Sequence, residues 1–298
     1  YSYRTSFLVS YSYGISNPTL FPRDIGFFGY TLNFFFEIVA LLSRYFSLEN
    51  IFFVGYILSS FLFVLAIYYL AKTIFDDERV AMIAVFLTIL PKPGFSNIST
   101  VSEYFYYRDI AMSMIFLSIG LLLRKKYFWA IFLVGLSSFI HILSTVYGAM
   151  IGVAYLFFTR KDISNKEFKN IVLAGFVFLI MIILPLHSVL SSETDASFGS
   201  LNEWKEIVKL RAFDHYFPST FYFAGTILFL PFLLFFCLFW RELKDGKGMA
   251  SKDGNPRLTL DFPILWAILT VVIVCGIMAT IFSELLVMKF LLSAQMFR

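Results

Sequence analysis

The chain has 298 residues, of which 59% are hydrophobic and 20% aromatic while only 15% are charged, and its mean hydropathy is +0.79. A soluble domain cannot bury so much apolar surface, so this composition excludes an ordinary water-soluble enzyme and indicates an integral membrane protein. The net charge of +4 comes from short basic runs between apolar stretches, a pattern typical of membrane topology signals. We therefore expect membrane lipids, and no nucleic acid, as partners.

The first polar segment, residues 17–24, reads NPTLFPRD. Its two prolines favour a rigid extended turn, and Asp24 follows where the chain meets an apolar segment. A carboxylate at such a boundary can act as a general base, bind a divalent cation, or cap the helix that we expect to begin at Ile25. These three roles stay open on the residues alone, and no cofactor beyond a possible divalent cation is suggested.

Segment 25–48 is apolar but carries Glu37 and Arg44. A charged side chain at the centre of a spanning helix costs about 2.5–3.5 kcal/mol on insertion scales. A crossing here would also move every later basic loop to the outer side. We therefore expect helices that lie in the outer membrane interface.

Longer apolar runs follow along the rest of the chain, and a membrane-spanning helix needs about 20 residues. The run at 80–91 is short, but the charges of its flanking loops require it to cross once, whereas the run at 128–158 is too long for one crossing. We expect 128–158 to cross twice as a tight hairpin that turns near 141–144, with a single long tilted helix as the alternative. The runs lie at about 51–71, 80–91, 110–123, 128–158, 171–190, 221–240 and 262–283.

Four short loops between these runs are basic, and basic loops favour the cytoplasmic side of a membrane. This places residues 1–50, 92–109, 191–220 and 284–298 outside. The basic residues of the four loops are Lys72 and Arg79; Arg124, Lys125 and Lys126; Arg160, Lys161, Lys166 and Lys169; and Arg241, Lys244, Lys247, Lys252 and Arg257.

Two outer segments hold candidate substrate-binding residues. Arg108 and Asp109 stand immediately before a span, where an arginine can bind a lipid phosphate or serve as an interfacial anchor. The long outer loop places a guanidinium, a carboxylate and an imidazole within five positions, at Arg211, Asp214 and His215. We interpret this second group as phosphate or sugar contacts, because no serine nucleophile motif accompanies it.

All three histidines fall on the outer side of this topology: His141 at the hairpin turn, His187 near a helix end and His215 in the long loop. A shared metal would require them to converge within a few ångströms, so we predict no metal site. Cys237 and Cys275 both lie within apolar runs, which favours packing over a disulfide.

The order of these features resembles a known class of proteins. The first loop NPxLFPxD, interfacial helices, a DDER turn, YYRD before a span and HILST at a helix end look like bacterial membrane proteins of the GT-C glycosyltransferase-like class. The runs RAFDHYFPSTF and LLSAQMFR are similar to segments of one branch of that class. The likeness covers nearly all of residues 10–298.

The resemblance implies an all-α, polytopic transmembrane helical bundle with outer interfacial helices. It implies an enzyme that takes a sugar from a polyprenyl-phosphate-linked donor at the extracytoplasmic face of the bacterial inner membrane. By this likeness Asp24 is the catalytic base or metal-contacting carboxylate, and Arg108, Arg211 and His215 face the donor phosphate. Asp109, His141 and Asp214 complete the expected substrate-binding set.

Two other functions remain open, namely a transporter or lipid flippase, and a polysaccharide polymerase or ligase. The centres of several spans contain no charged residue, which favours surface chemistry over transport. We expect residues 1–298 to form one transmembrane domain that lacks a first and several later helices of the whole protein.

Overall fold

The structure is a computed structural model that describes residues 34–89, 105, 107–191, 264, 266–268 and 270–271. All regular secondary structure in these residues is helical, which confirms the all-α prediction for this part of the chain. The helices are α1 (Phe34–Leu42), α2 (Leu48–Phe75), α3 (Glu78–Ile89), α4 (Tyr107–Leu123), α5 (Tyr127–Ser137), α6 (Ile142–Thr159) and α7 (Asn165–Ser191), with a 3-10 turn at Arg160–Asp162.

Side chains determine where several of these helices begin. The Ser47 hydroxyl caps α2, and the Asp77 carboxylate accepts the N–H of Arg79 (2.7 Å) at the start of α3. At the start of α7 the Ser164 N–H donates to the Glu167 carboxylate (2.8 Å), while the Glu167 N–H donates to the Ser164 hydroxyl (3.3 Å). This reciprocal capping box satisfies two backbone donors that lack helical partners.

The long apolar run at 128–158 is divided into α5 and α6 by a turn at 138–141. The Ser138 hydroxyl donates to the Gly135 carbonyl (2.6 Å) at the end of α5. His141 begins α6, because its ring nitrogen Nδ1 accepts the N–H of Ser144 (3.3 Å). The predicted break near 141–144 is confirmed, and the alternative of one long helix is wrong.

Contacts along α4 fix the direction of its neighbours. Phe105, just before α4, packs against Phe52 near the start of α2, with ring centroids 5.8 Å apart. Past the other end of α4, Arg124 donates to the Thr73 hydroxyl near the end of α2 (3.1 Å). Helices α2 and α4 are therefore parallel.

Contacts at two levels show that α4 and α6 are also parallel. The rings of Tyr107 and His141 meet at the starts of these helices, with centroids 5.3 Å apart. Further along both helices, the Leu122 side chain lies 3.9 Å from the place that a Cβ atom of residue 152 would occupy. Since α3 and α5 each follow a short turn and contact the preceding helix, the described helices from α2 onward run alternately up and down.

This order collects three turns at one end of the bundle, residues 72–79, 124–126 and 159–169, which we call the basic end. These segments contain nine basic and five acidic residues. The described residues of the opposite end, 34–50, 107–110, 138–144 and 185–191, contain two basic and three acidic residues. Three of the four basic loops that the sequence assigns to one side of a membrane therefore lie together in the fold, and the fourth lies outside the described residues.

The described helices differ from those of a soluble bundle chiefly on their outer faces, since apolar side chains also fill the helix contacts. Helix contacts bury small hydroxyl residues, whereas α2, α3 and α7 turn large apolar side chains outward. Helix α2 and residues Asn165–His187 of α7 are long and apolar enough to cross a membrane. The buried hydroxyl residues are Ser59, Ser113, Ser118, Ser137, Ser138, Ser144, Thr145 and Thr159.

Helix α1 is the described part of the predicted interfacial segment 25–48. The structure describes nine residues of it, about 13 Å of helix at 1.5 Å per residue. Its Phe35 and Val39 pack against Ile51 and Phe52 of α2. A turn at 43–46 separates the two helices, so α1 does not continue into α2, and its depth in a membrane stays a prediction.

Helix α4 packs closely against α2 at Gly120. A Cβ atom there would lie 2.7 Å from the Tyr69 ring, which is itself covered by the Arg124 guanidinium. We expect Gly120→Leu to lower the free energy of unfolding by about 1–3 kcal/mol through overpacking. Thermal unfolding in detergent measures the change.

The matched control is Gly175→Leu on α7, because no atom lies within 4 Å of a Cβ built at that position. That variant should unfold at or above the wild-type temperature, since leucine favours helix over glycine. Equal losses in both variants would contradict a close contact at Gly120.

Candidate functional site

A cluster of polar side chains lies at the opposite end of the bundle, where α4 begins beside the turn between α5 and α6. Tyr107, Arg108 and Asp109 come from the first turn of α4, and His141 and Ser144 come from the start of α6. The parallel arrangement of α4 and α6 brings these two helix starts together. We call these five residues the polar cluster.

Arg108 and Asp109 form an ion pair within the cluster. The Arg108 Nε lies 3.6 Å from a carboxylate oxygen of Asp109, and the two side chains are 24% and 11% exposed. The Ser113 hydroxyl donates to the backbone carbonyl of Asp109 (2.7 Å). A carboxylate this deeply buried needs a nearby counter-charge, which Arg108 supplies. The more exposed guanidinium still reaches the surface.

The hydrogen bonds of His141 define the protonation of its ring. Nδ1 accepts the backbone N–H of Ser144 (3.3 Å) and lies 2.7 Å from the Ser144 hydroxyl. A nitrogen that accepts an N–H carries no proton, so the proton of the neutral ring is on Nε2. Burial, together with the positive charge of Arg108, lowers the pKa of His141 from 6.5 to about 4. The ring is therefore neutral at pH 7 and presents an N–H donor through Nε2.

Hydroxyl groups tie the turn to both of its helices. The Ser137 hydroxyl donates to the Val134 carbonyl (2.7 Å) and lies 2.8 Å from the Thr145 hydroxyl. Ser137 and Thr145 are both fully buried. Because Ser137 and Thr145 are buried and hydrogen-bonded, their contact restricts the position of the turn.

Aromatic rings form the side of the cluster that faces α1. The Tyr107 ring packs against Phe35 (5.5 Å between centroids) and Phe36 (5.7 Å). Phe35 also contacts Phe105 (4.9 Å). The described part of segment 25–48 therefore packs against the start of α4, beside Arg108.

An apolar cavity of about 500 Å³ adjoins the cluster and lies between α1, α2 and the start of α4. Its volume is within the range of about 300–1,000 Å³ that is usual for ligand pockets. Phe105 and Ile110, which flank Arg108 in sequence, form part of the wall, and so does Ile140, next to His141. Leu58 on α2 lines the cavity and is 62% exposed, so the cavity opens to the surface.

This arrangement suits an amphiphilic anion. A guanidinium can pair with a phosphate through charge-assisted hydrogen bonds, and the His141 Nε2–H adds a neutral donor. The apolar cavity beside them can take hydrocarbon. Among the residues that the structure describes, no group of histidine, cysteine and acidic side chains is placed to hold a metal ion.

The structure brings together three of the residues predicted from sequence, Arg108, Asp109 and His141. His187 lies near the end of α7 and is exposed. Predictions for Asp24, Arg211, Asp214 and His215, as well as for Cys237 and Cys275, fall outside the described residues.

Sequence reasoning missed the buried hydroxyl groups and the cavity. Ser137, Ser138, Ser144 and Thr145 stand on both sides of the turn within an otherwise apolar run, and this interruption was a usable signal. The cavity had no comparable signal, because it forms only where α1 and α2 meet α4.

Comparisons with models of protein families, with curated proteins and with solved structures found no match to this chain.

The depressed pKa of His141 predicts a pH-dependent stability. In the unfolded chain His141 has an ordinary pKa near 6.5, whereas in the folded protein its pKa is about 4. Between these pH values the unfolded state therefore binds a proton that the folded state does not. The free energy of unfolding should therefore fall as the pH drops from about 6.5 to 4, and this contribution should be constant above that window. Thermal unfolding measured across this range tests the effect.

His141→Asn is the matched control, because asparagine caps helices well but does not titrate in this range. Carboxylates titrate in both proteins, so the difference between the two pH profiles isolates His141. Parallel profiles for wild type and His141→Asn would contradict the role of the ring.

Proposed function

We propose that this chain is part of a GT-C-like membrane glycosyltransferase that uses a polyprenyl-phosphate-linked sugar at the extracytoplasmic face of the bacterial inner membrane. The observation that supports this most directly is the apolar cavity of about 500 Å³, whose wall includes Phe105, Ile110 and Ile140, close in sequence to Arg108 and His141. A polyprenyl phosphate joins a long hydrocarbon to a charged group, and the site offers a separate environment for each part.

A multi-pass arrangement is supported by the surface of the bundle. Large apolar side chains cover the outer faces of α2, α3 and α7, and small hydroxyl residues are buried in helix contacts beside apolar side chains. Small residues allow close helix packing in lipid, where burying apolar surface gives no advantage over leaving it exposed. The basic end would then face the cytoplasm, and the polar cluster would face outward.

In this proposal Arg108 binds the donor phosphate. Its guanidinium is partly exposed and forms an ion pair with Asp109 (3.6 Å), which favours one position of the side chain before a ligand arrives. A phosphate in this partly dehydrated setting gains more from a charge-assisted hydrogen bond than it would in bulk water. His141 adds its Nε2–H, and the apolar cavity takes the isoprenoid units nearest the phosphate.

The resemblance to GT-C proteins suggests roles for four further residues, Asp24, Arg211, Asp214 and His215. A carboxylate repels a phosphate unless a divalent cation bridges them, or unless the carboxylate faces the acceptor hydroxyl as a base. We assign Asp24 to one of these two roles. Arg211, Asp214 and His215 would contact the phosphate or sugar from the long outer loop.

The charge distribution along the described helices favours this function over transport. In α2 the charged residues Glu49 and Lys72 stand near the two ends, and in α4 the pair Arg108 and Asp109 lies in the first turn. Transport pathways usually place ionisable groups near the middle of spans. The middle of these two helices carries none.

Binding of a short-chain polyprenyl monophosphate tests the site directly. We expect Arg108→Ala to weaken it by about 10- to 100-fold, the loss expected for a hydrogen bond between charged groups. Leu58→Trp should also weaken binding, because it fills the cavity. Isothermal titration calorimetry in detergent gives both dissociation constants.

Two matched variants and a neutral ligand serve as controls. Arg44→Ala removes an exposed charge at the same end, and Leu65→Trp enlarges an exposed side chain of α2 that does not line the cavity. Both should bind normally. The uncharged polyprenol should be sensitive to Leu58→Trp and insensitive to Arg108→Ala. Normal phosphate binding by Arg108→Ala would exclude this site.

Asp24→Asn tests the transfer step. This substitution removes the negative charge at nearly constant size, so we expect folding and polyprenyl phosphate binding to persist while sugar transfer by the full-length protein is lost. Transfer of a labelled sugar from its lipid donor measures the effect. Wild-type transfer by Asp24→Asn would show that the carboxylate is not the catalytic group.

A further inference from the structure

Arg124, at the basic end, is held in place by two contacts with α2. Its Nε donates to the Thr73 hydroxyl (3.1 Å), and its guanidinium lies 4.8 Å from the centre of the Tyr69 ring. These contacts use Nε and one face of the group. The side chain is nevertheless exposed, so the terminal N–H groups of a pre-positioned guanidinium are accessible at the surface.

Lys125 follows in a strained backbone conformation. Its φ is 56°, in the left-handed region where a non-glycine residue costs about 1–2 kcal/mol. The Lys125 N–H donates to the Leu122 carbonyl (2.9 Å) and the Lys126 N–H to the Leu121 carbonyl (2.8 Å), a helix ending that most often has glycine at this position. A lysine side chain therefore occurs where the backbone favours glycine.

The positive charges of Arg124, Lys125 and Lys126 are only weakly balanced by acidic side chains of the described part of the protein. Lys72, the neighbouring cation on α2, is paired with Asp76 (3.6 Å) and Glu78 (3.9 Å). In contrast, no carboxylate of the described part of the chain lies within salt-bridge distance of Arg124, Lys125 or Lys126. Glu167 is the carboxylate that Lys125 influences at longer range: hydrogen bonds from Ser164 lower the pKa of Glu167 most, and the charge of Lys125 lowers it further.

Exposed aromatic side chains lie at the same end of the bundle as these cations. Trp129 is exposed three positions after Lys126, and Phe157 is exposed beneath Arg160, whose guanidinium lies 4.7 Å from the ring centre. Phe168 is exposed at the start of α7. Tryptophan and other amphipathic aromatic groups at the ends of spans mark the level of lipid headgroups.

We propose that Arg124, Lys125 and Lys126 form a binding site for the phosphate headgroup of an anionic membrane lipid. The pre-positioned guanidinium and the two lysines contact the phosphate, and the acyl chains lie along the exposed apolar side chains at this end of the bundle. This lipid is a structural ligand and lies at the end of the bundle away from the donor site. The proposal rests on the membrane orientation given under the proposed function.

Thermal unfolding in nanodiscs of defined composition tests this site. The wild-type protein should unfold at a higher temperature in discs that contain phosphatidylglycerol than in discs of phosphatidylcholine alone. Arg124→Gln and Lys125→Gly should each lose part of this gain, by about 2–4 °C for each cation that contacts a headgroup. Raising the salt concentration should reduce the gain in the wild type.

Lys125→Gly separates lipid binding from folding. Glycine relieves the backbone strain, so this variant should be at least as stable as wild type in phosphatidylcholine alone while gaining less from phosphatidylglycerol. Arg44→Gln removes an exposed charge at the opposite end and should keep the full gain. A full gain in Arg124→Gln, or an equal loss in Arg44→Gln, would refute the site. The same stabilisation by inorganic phosphate in detergent would indicate a site for free anions and would also overturn the proposal.

Failure of this proposal can be distinguished from failure of the orientation on which it rests. With Cys237 and Cys275 replaced by serine, an impermeant maleimide applied to intact cells should label Tyr45→Cys and spare Lys161→Cys. The reverse labelling pattern would overturn the orientation, whereas the nanodisc experiment reads the headgroup site independently of which side it faces.

Discussion

The rest of the described fold depends on the turn at 138–141, which His141 ends by capping α6 through its Nδ1. Without this cap and the buried Ser137–Thr145 contact (2.8 Å), the apolar run at 128–158 could continue as one helix. The turn reverses the chain, so α6 runs parallel to α4 and the three basic turns lie at one end. The capping ring also lies next to Tyr107 and Arg108, so the same interaction that sets the topology builds the polar cluster.

Polar groups in this protein are concentrated at helix ends and in helix contacts, and their partners differ between the two ends. At the opposite end, Asp109 and Arg108 form a pair, and His141 stays neutral because burial and Arg108 oppose its protonation. This compact group leaves one partly exposed guanidinium beside an apolar cavity. At the basic end the cations outnumber the acids, and Arg124 is held by a hydroxyl and a ring instead of a carboxylate. One end thus suits a single amphiphilic ligand, and the other suits a charged surface.

The exposed apolar faces and the buried hydroxyl residues have a common physical explanation in a lipid environment. Small residues such as Gly120 and Ser113 let helix backbones approach closely. Buried hydroxyl groups donate hydrogen bonds to backbone carbonyls of their own helix, as Ser113 does to Asp109 (2.7 Å). Large side chains such as Phe61 and Phe176 remain outside at 65% and 62% exposure, where water would penalise them and hydrocarbon would not.

The sequence by itself determined the helical class, the break near His141 and the segregation of basic residues, because these follow from local apolar length, capping chemistry and charge spacing. It also singled out Arg108, Asp109 and His141, since ionisable groups beside apolar runs are conspicuous. Only the tertiary structure decided that these three meet, that Asp109 is paired and buried, and that an apolar cavity adjoins them. Those properties depend on contacts between α1, α2, α4 and α6, which are distant in sequence, and no local pattern of residues specifies how such helices pack.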